Sequence, residues 1–429
     1  MAGGNGRWIL KIVNVWKLKI KIYLKIKNCK NYKINTKMSI FSLENLYKAY
    51  LDCRENKRKT ANAVKFEYDL EENLMKLQKE LADGTYQPGR SICFAVSEPT
   101  PREIFAADFR DRVVHHLLVR EINEIGERNF IFDSYACRKE KGTHKAVSKL
   151  RTFIRKATEN FRKDCYYAQL DISGFFMSID KNILYEIFEK MIVKQKKNQK
   201  WKKEVLQLGK IIIFHDPTEN YIVKGDQKLL ENIPQRKSLF YAGQRKGLPI
   251  GNYSSQFFGN LYLNELDQFV KRKLKVKYYL RYVDDFILLN KSKGLLEKQK
   301  FEIETFLKQK LNLDFSENKC KIRSVKSGID FLGYFVKPNY VLVRKRVVKS
   351  FKNKVREIGK LVFENGKGLK NKKQLERDVC VINSYGGHFK YANSYNLKRK
   401  ILTELLEKRA EFCLVGDFRV IGLKKSIKI

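Results

Sequence analysis

Hydrophobic and polar positions repeat along this chain with two periods. Between Phe41 and about Ala82 the period is helical: Leu43, Leu46, Tyr47 and Tyr50 recur three and four apart, Ser42 stands where an N-cap belongs, and Asp83-Gly84 ends the run. A strand-like piece, SICFAVSE, follows between Pro88 and Pro99, and PREIFAADFRDRVVHHLLVREINEI passes from an extended segment into a helix. The apolar stretch YYAQL reads as a core strand ending in Asp171. Ser173-Gly174, Phe175 and Phe176 come next, then a helix start near Asp180. Lys277–Val283 and Phe286–Leu289 read as two strands, with Asp284-Asp285 in the tight turn between them. Residues 192–243 are Lys-rich and turn-rich, which predicts an insertion between two halves of one core domain.

After Phe335 the helical period returns. Val347, Val348, Phe351, Val355 and Ile358 form an apolar face, and Lys345, Lys349, Lys352 and Arg356 form a basic stripe, with a stop at Asn365-Gly366. Trp16–Lys27 alternates almost strictly, a strand period with a basic face, within a stretch (1–37) that holds ten Lys/Arg and no acid. Met38 opens ordinary composition, so 1–37 reads either as a basic arm or as a translated upstream region.

Charge changes the picture. The 429 residues carry 89 Lys+Arg against 47 Asp+Glu, a net +42, which makes a polyanion the expected partner. Nucleic acid is the first choice and a membrane surface the competitor. No apolar run long enough for a membrane span appears, and the N-terminal stretch is too charged for a secretory leader. Eight scattered cysteines with no Cys-x-x-Cys pair suggest neither a zinc site nor a redox dithiol, and fit free thiols in a cytoplasmic protein. His115 and His116 diverge on a helix, one packed and one exposed. His144, His215 and His388 are too scattered to nominate a site.

The unusual chemistry is carboxylate. Asp284 and Asp285 are adjacent like charges between apolar residues, and Asp171 ends another core strand. Each alone reads as a turn or capping Asp. Together, partly buried, they repel one another unless a cation sits among them. Two divalent cations about 3.5–4 Å apart take oxygen ligands of this kind.

The residues resemble reverse transcriptases. Tyr282-Val-Asp-Asp285 is similar to their YxDD box, LDISGFF (170–176) to the preceding aspartate motif, and GLPIGNYSSQ (247–256) to the Gly-containing template-grip motif. REIFAADFRDR (102–112), DSYACRKEKGTH (133–144), LNLDFSENK (311–319) and GIDFLG (328–333) continue the match in order. The resemblance implies an α+β right-hand polymerase copying template RNA into cDNA through an RNA/DNA heteroduplex, with dNTPs as substrates. It divides the chain into fingers (38–160), palm (161–191 and 246–338), a fingers-like insertion (192–245) and a helical basic thumb (339–429). It further implies that Asp171, Asp284 and Asp285, helped by the Ile172 carbonyl, hold two Mg²⁺, with Mn²⁺ as a substitute. Phe176 matches the steric gate against ribose 2′-hydroxyls. Arg102 matches a triphosphate contact, although the lysine that relatives carry two residues earlier is Thr100 here. Lys319 matches a proton donor to pyrophosphate, Phe331-Leu332-Gly333 a primer grip, and Ile250, Gly251 and Gln256 the nucleotide site. The basic stripe would follow phosphates.

One motif points to a subgroup. Where most of the family has Gln-Gly and Ser-Pro, this chain has Ile250-Gly251 and Ser255-Gln256. That variant resembles reverse transcriptases of diversity-generating retroelements, which implies misincorporation opposite template adenine, since isoleucine cannot supply an amide hydrogen bond. It also implies a small basic, oligomeric accessory protein as partner. Neither an RNase H nor an endonuclease domain is expected after Phe335. The alternatives are an antiphage-defence reverse transcriptase and a non-catalytic RNA-binding protein on a polymerase fold.

Overall fold

The computed structural model describes residues 39–55, 60–97, 100–317, 319–360, 372–409, 411–415 and 420–423. The basic extension 1–37 and the expected helix stop at Asn365-Gly366 lie outside these residues. In chain order the elements are α1 (Leu43–Arg54), α2 (Ala61–Tyr68), α3 (Leu70–Asp83), β1 (Ser91–Val96), β2 (Arg102–Ala106), α4 (Phe109–Asn129) and α5 (Thr143–Ala157). Then come β3 (Tyr166–Asp171), α6 (Phe175–Ser178), α7 (Lys181–Val193), α8 (Gln199–Phe214), β4 (Tyr221–Val223), α9 (Gln227–Glu231), α10 (Tyr253–Gln268), β5 (Tyr278–Tyr282) and β6 (Asp285–Asn290). The rest are α11 (Lys293–Leu311), β7 (Lys321–Ser324), β8 (Ile329–Phe331), β9 (Tyr334–Val336), β10 (Val341–Val343), α12 (Lys345–Lys360), α13 (Lys372–Phe389), α14 (Tyr395–Lys408), β11 (Phe412–Val415) and β12 (Val420–Leu423). The fold is therefore α+β, as expected.

The chain forms two compact units. One contains the described residues up to 131 with 172–269 and 303–316. Its axis is α4, whose Val113, Val114, Leu117, Leu118, Ile122 and Ile125 are buried. Asp108 caps that helix, accepting from Arg110 N. Gly126 lets α4 meet α10 closely, because a Cβ there would lie 2.6 Å from the Phe257 ring. Beside it, β1 runs antiparallel to β2 and parallel to β4.

The other unit contains 132–171, 270–302 and the described residues from 317 onward. Its main sheet is antiparallel, in the order β5-β6-β3-β7. One face carries Tyr167, Leu280, Ile287 and Leu289, which pack with Val147, Leu150, Phe153 and Ile154 of α5 and with Phe331 and Tyr334 of the small sheet β10-β9-β8. The other face buries Ala168, Leu170, Tyr279, Phe286 and Leu288 as well. This explains why β3 and β6 read as continuous apolar runs. A second core joins α12, α13 and α14 to the hairpin β11–β12 through Phe351, Val355, Leu375, Leu402, Phe412 and Ile421.

Four expectations need correction. The run from Phe41 to Ala82 is three helices, with Asp69 in non-helical angles between α2 and α3. The region 192–243 is less turn-rich than its lysines suggest. Its α8 is a 16-residue helix burying Trp201, Val205, Leu208, Ile212 and Ile213, with Lys200, Lys203 and Lys210 turned outward. Asp285 is not in the turn but is the first residue of β6, and Val283 takes the left-handed turn position at φ 54°. Finally, the C-terminal part is not wholly helical. Its described residues include the hairpin β11–β12, whose signal was two short apolar runs around Gly416-Asp417.

Candidate active site

The sheet register brings the carboxylates together. Asp171, last in β3, is paired across the ladder with Asp285, first in β6, and Asp285 is in turn paired with Tyr282 of β5. Side chains alternate faces along a strand, so Asp171 and Asp285 share the face of Gln169 and Ile287. Asp284 lies one residue back in the turn and is partly exposed. The turn strains a β-branched residue, Val283, into positive φ. Its carbonyl accepts from Nη1 of the fully buried Arg281 at 3.0 Å, which helps pin the turn.

Electrostatics here are lopsided. Burial pushes the Asp285 carboxyl up to about 7, and the negative charges of Asp171 and Asp284 push the same way, against a donor from Gln169 and the Lys319 ammonium. Lys319 Nζ lies 2.8 and 2.9 Å from the two oxygens of Asp171. The site is thus short of positive charge and meets the deficit partly with a lysine. Among the described residues, no three acidic, His or Cys groups close into a metal cage. An oxygen-only, electron-rich pair with open sides suits Mg²⁺, which keeps waters and substrate phosphates in its shell rather than filling it with protein.

The other expected site residues fall in two places. In the first unit, Phe176 on α6 and Ile250 both pack, half-buried, against the apolar cluster of Cys93, Phe105, Met177 and Leu239. The Ile250 carbonyl accepts from Phe105 N at 2.8 Å, and Gly251 follows at φ 130°. Gln256 is exposed on α10, Ile172 is buried, and Arg102 is exposed at the start of β2 with Nη2 3.4 Å from Thr100 Oγ1.

In the second unit, Leu332 and Gly333 turn the β8–β9 hairpin with φ 50° and 86°, the type I′ pattern. Phe331 itself is fully buried, which leaves Leu332 and Gly333 at the tip. Lys345, Lys349, Lys352 and Arg356 are exposed and line a groove of about 490 Å³ with Val348 and Leu397.

Sequence reasoning missed several neighbours. The histidines read as scattered meet in part at this hairpin. His388 stacks on Tyr334 with ring centroids 4.2 Å apart, the Tyr334 hydroxyl is 3.1 Å from His144 Nδ1, and His144 stacks on Tyr391. Burial lowers the pKa of both rings, and each histidine's environment otherwise differs. His115 is buried with Nδ1 2.6 Å from Ser254 Oγ, while His116 stacks on Tyr253, in keeping with their expected divergence. Gln169 and the Asp330–Arg344 pair were also missed. The available signal was that Gln169 stands two residues before Asp171 and so on the same face.

Comparison with known proteins agrees with this geometry. The family model "Reverse transcriptase (RNA-dependent DNA polymerase)" matches residues 98–336, more than half of the chain, so the chain belongs to that family and has its right-hand polymerase fold. Protein YkfC of Escherichia coli (strain K12) is 25% identical over 305 residues, covering 63% of this chain and 71% of that protein. Group II intron-encoded protein LtrA of Lactococcus lactis subsp. cremoris is 24% identical over 332 residues, 62% of this chain and 50% of that protein, so the chain spans about half of LtrA. Among solved structures, apo telomerase from Candida tropicalis, truncated from its C-terminal domain, aligns at 14% identity and TM-score 0.44, covering 60% of this chain and 55% of that one. Among the described residues, no helix is long and apolar enough to cross a membrane.

Proposed function

We propose that this protein is an active RNA-directed DNA polymerase. The observation that carries the reading is the Asp171–Asp285 rung with Asp284 beside it, a carboxylate pair whose negative charge Lys319 and Gln169 partly relieve. Asp171, Asp284 and Asp285, with the Ile172 carbonyl, would hold Mg²⁺. When bound, two such ions would acidify the attacking 3′-hydroxyl and neutralise the leaving pyrophosphate. The protein supplies the rest. Lys319, already beside Asp171, can hand a proton to the departing phosphate. Arg102 offers a guanidinium for the triphosphate. Phe176 presents a ring to the sugar and Ile250 an apolar wall beside it. Leu332 and Gly333 support the primer end, and the α12 stripe follows phosphates of the heteroduplex. In this reading the β3–β6 sheet is the palm and α12–α14 the thumb.

The finer reading is a mutagenic enzyme of a diversity-generating retroelement, working with a small basic accessory protein. Ile250 supports it, because its half-buried side chain shares the apolar cluster of Phe176 and offers no hydrogen bond. The test is to sequence cDNA made from a defined RNA with Mg²⁺, using Asp284→Asn as control. DNA lost in the control with errors clustered opposite adenine supports both levels. Faithful DNA, lost in the control, keeps the polymerase and moves its role to defence. DNA synthesis undiminished by Asp284→Asn would sink the active-site assignment.

A further inference from the structure

Gln169 is nine-tenths buried, and its amide nitrogen serves two acceptors. It donates to Asp285 at 3.3 Å from Oδ1 and 3.5 Å from Oδ2, and to the backbone carbonyl of Asp330 at 3.0 Å. Both partners can only accept when Asp285 is ionised, so the nitrogen has to face them, and its two protons match the two acceptors. The other end of the amide, Oε1, is buried and has no hydrogen-bond partner among the described residues. An unpaired buried acceptor costs stability, and a leucine or methionine of similar volume would avoid that cost. The two donors are therefore what the position uses. An amide does something that lysine or arginine could not do here: it fixes a carboxylate without a charge that competes with cations.

We infer that Gln169 is a positioning residue, whose amide orients the Asp285 carboxylate for a divalent cation and ties it to the base of the Phe331–Gly333 hairpin. The thread continues beyond Asp330. Its carboxylate is held by Arg344, with Nε at 2.6 Å, and Arg344 N donates to the Gly333 carbonyl at 2.9 Å. A shift at the hairpin tip thus has a hydrogen-bonded route to the ligand carboxylate, through Arg344, Asp330 and Gln169. The assignment builds on the polymerase reading above, but its central readout does not need turnover.

The test compares wild-type protein with Gln169→Leu and Gln169→Met, each bound to an RNA template and DNA primer. Mn²⁺ affinity is read by electron paramagnetic resonance of the free ion, and folding by circular-dichroism melting. Both variants are expected to fold and to melt cooperatively a few degrees below wild type, because two part-buried acceptors lose their donor while the unpaired Oε1 is removed. They should bind Mn²⁺ roughly tenfold more weakly, the scale typical of groups that orient metal ligands. The Mg²⁺ needed for half-maximal extension should rise in the same proportion, with KM for dNTP unchanged. A folded variant that binds Mn²⁺ as tightly as wild type overturns the assignment, and so does failure of both variants to fold, which would make Gln169 a folding residue. If wild type fails to extend primers while the variants still lose Mn²⁺ affinity, the polymerase reading falls and the role of Gln169 stands.

Discussion

Lys319 places its ammonium on both oxygens of Asp171, at 2.8 and 2.9 Å, from a position that is itself largely exposed. An exposed ion pair contributes little to stability. On the proposed polymerase reading its value lies in location, since the ammonium would stand beside a metal-holding carboxylate as a proton donor. Lys319→Ala is expected to slow single-turnover nucleotide addition by about 10²-fold, the lower end for a general acid, with KM for dNTP little changed. Lys319→Arg keeps the pair with Asp171 but does not give up its proton readily, so it should recover binding and not rate. Rapid-quench kinetics across pH check this. A Lys319→Ala rate indistinguishable from wild type would reduce the pair to surface electrostatics.

The metal-free protein should lose stability as pH rises from the ordinary carboxylate value of 3.8 to about 7. Asp285 is raised from an ordinary 3.8 to about 7, first by burial, then by Asp171 and Asp284. The folded state therefore keeps a proton that the unfolded chain releases. The associated stability is complete below the ordinary value and is lost as pH climbs through about 7. Asp285→Asn cannot ionise, so its melting temperature in chelator should vary less between acid and alkaline buffer and should exceed wild type on the alkaline side. Adding Mg²⁺ should restore wild type there and not the variant. Parallel melting curves for the two proteins would show that Asp285 ionises freely.

The legible parts of this fold were those where local chemistry and burial agree. Ser42 caps α1 and Asp180 caps α7, each through its side-chain oxygen as its position suggests. YYAQLD and DFILLN are buried on both faces, so their unbroken apolar runs were strong strand signals. The register that puts Asp171 opposite Asp285 was not legible, because it depends on which strands are neighbours. The same holds for Gln169, whose partners Asp285 and Asp330 are 116 and 161 residues away in sequence. His144 and His388 looked scattered for that reason too: only the fold brings them to Tyr334.

Gly251 and Gly225 make a matched pair for backbone strain. Gly251 sits at φ 130°, and a Cβ there would lie 2.8 Å from both Ile104 Cγ2 and the Phe105 carbonyl oxygen. Neither can move without disturbing β2 and the Phe105 N to Ile250 O hydrogen bond. Gly225 has φ 88° with nothing within 4 Å of such a Cβ. Gly225→Ala should cost about 1–2 kcal/mol, the conformational term alone. Gly251→Ala should cost about 3–4 kcal/mol, because overpacking adds to it. Denaturant unfolding of both variants checks the difference, and equal costs would mean that the Ile250-Gly251 turn yields easily.

Ile250 carries the proposed effect on fidelity. Its backbone is fixed by Phe105, so replacing the side chain leaves the hydrogen bond at 2.8 Å intact. The side chain is half-buried and shares one apolar cluster with Phe176. A glutamine there could keep its stem in the cluster and bring an amide to the exposed side. One neutral hydrogen bond is worth about 1 kcal/mol, so Ile250→Gln should reduce errors opposite template adenine by roughly fivefold. Errors opposite other bases should change less. Phe176→Ala, tested in parallel, should raise ribonucleotide incorporation while leaving the adenine bias in place, because the proposed reading gives the sugar to Phe176 and the base pair to Ile250. Deep sequencing of cDNA from one template, with dNTPs alone and with rNTPs added, reads both effects. If Ile250→Gln leaves the error spectrum unchanged, the misincorporation reading loses its structural basis, whatever the enzyme's biological setting.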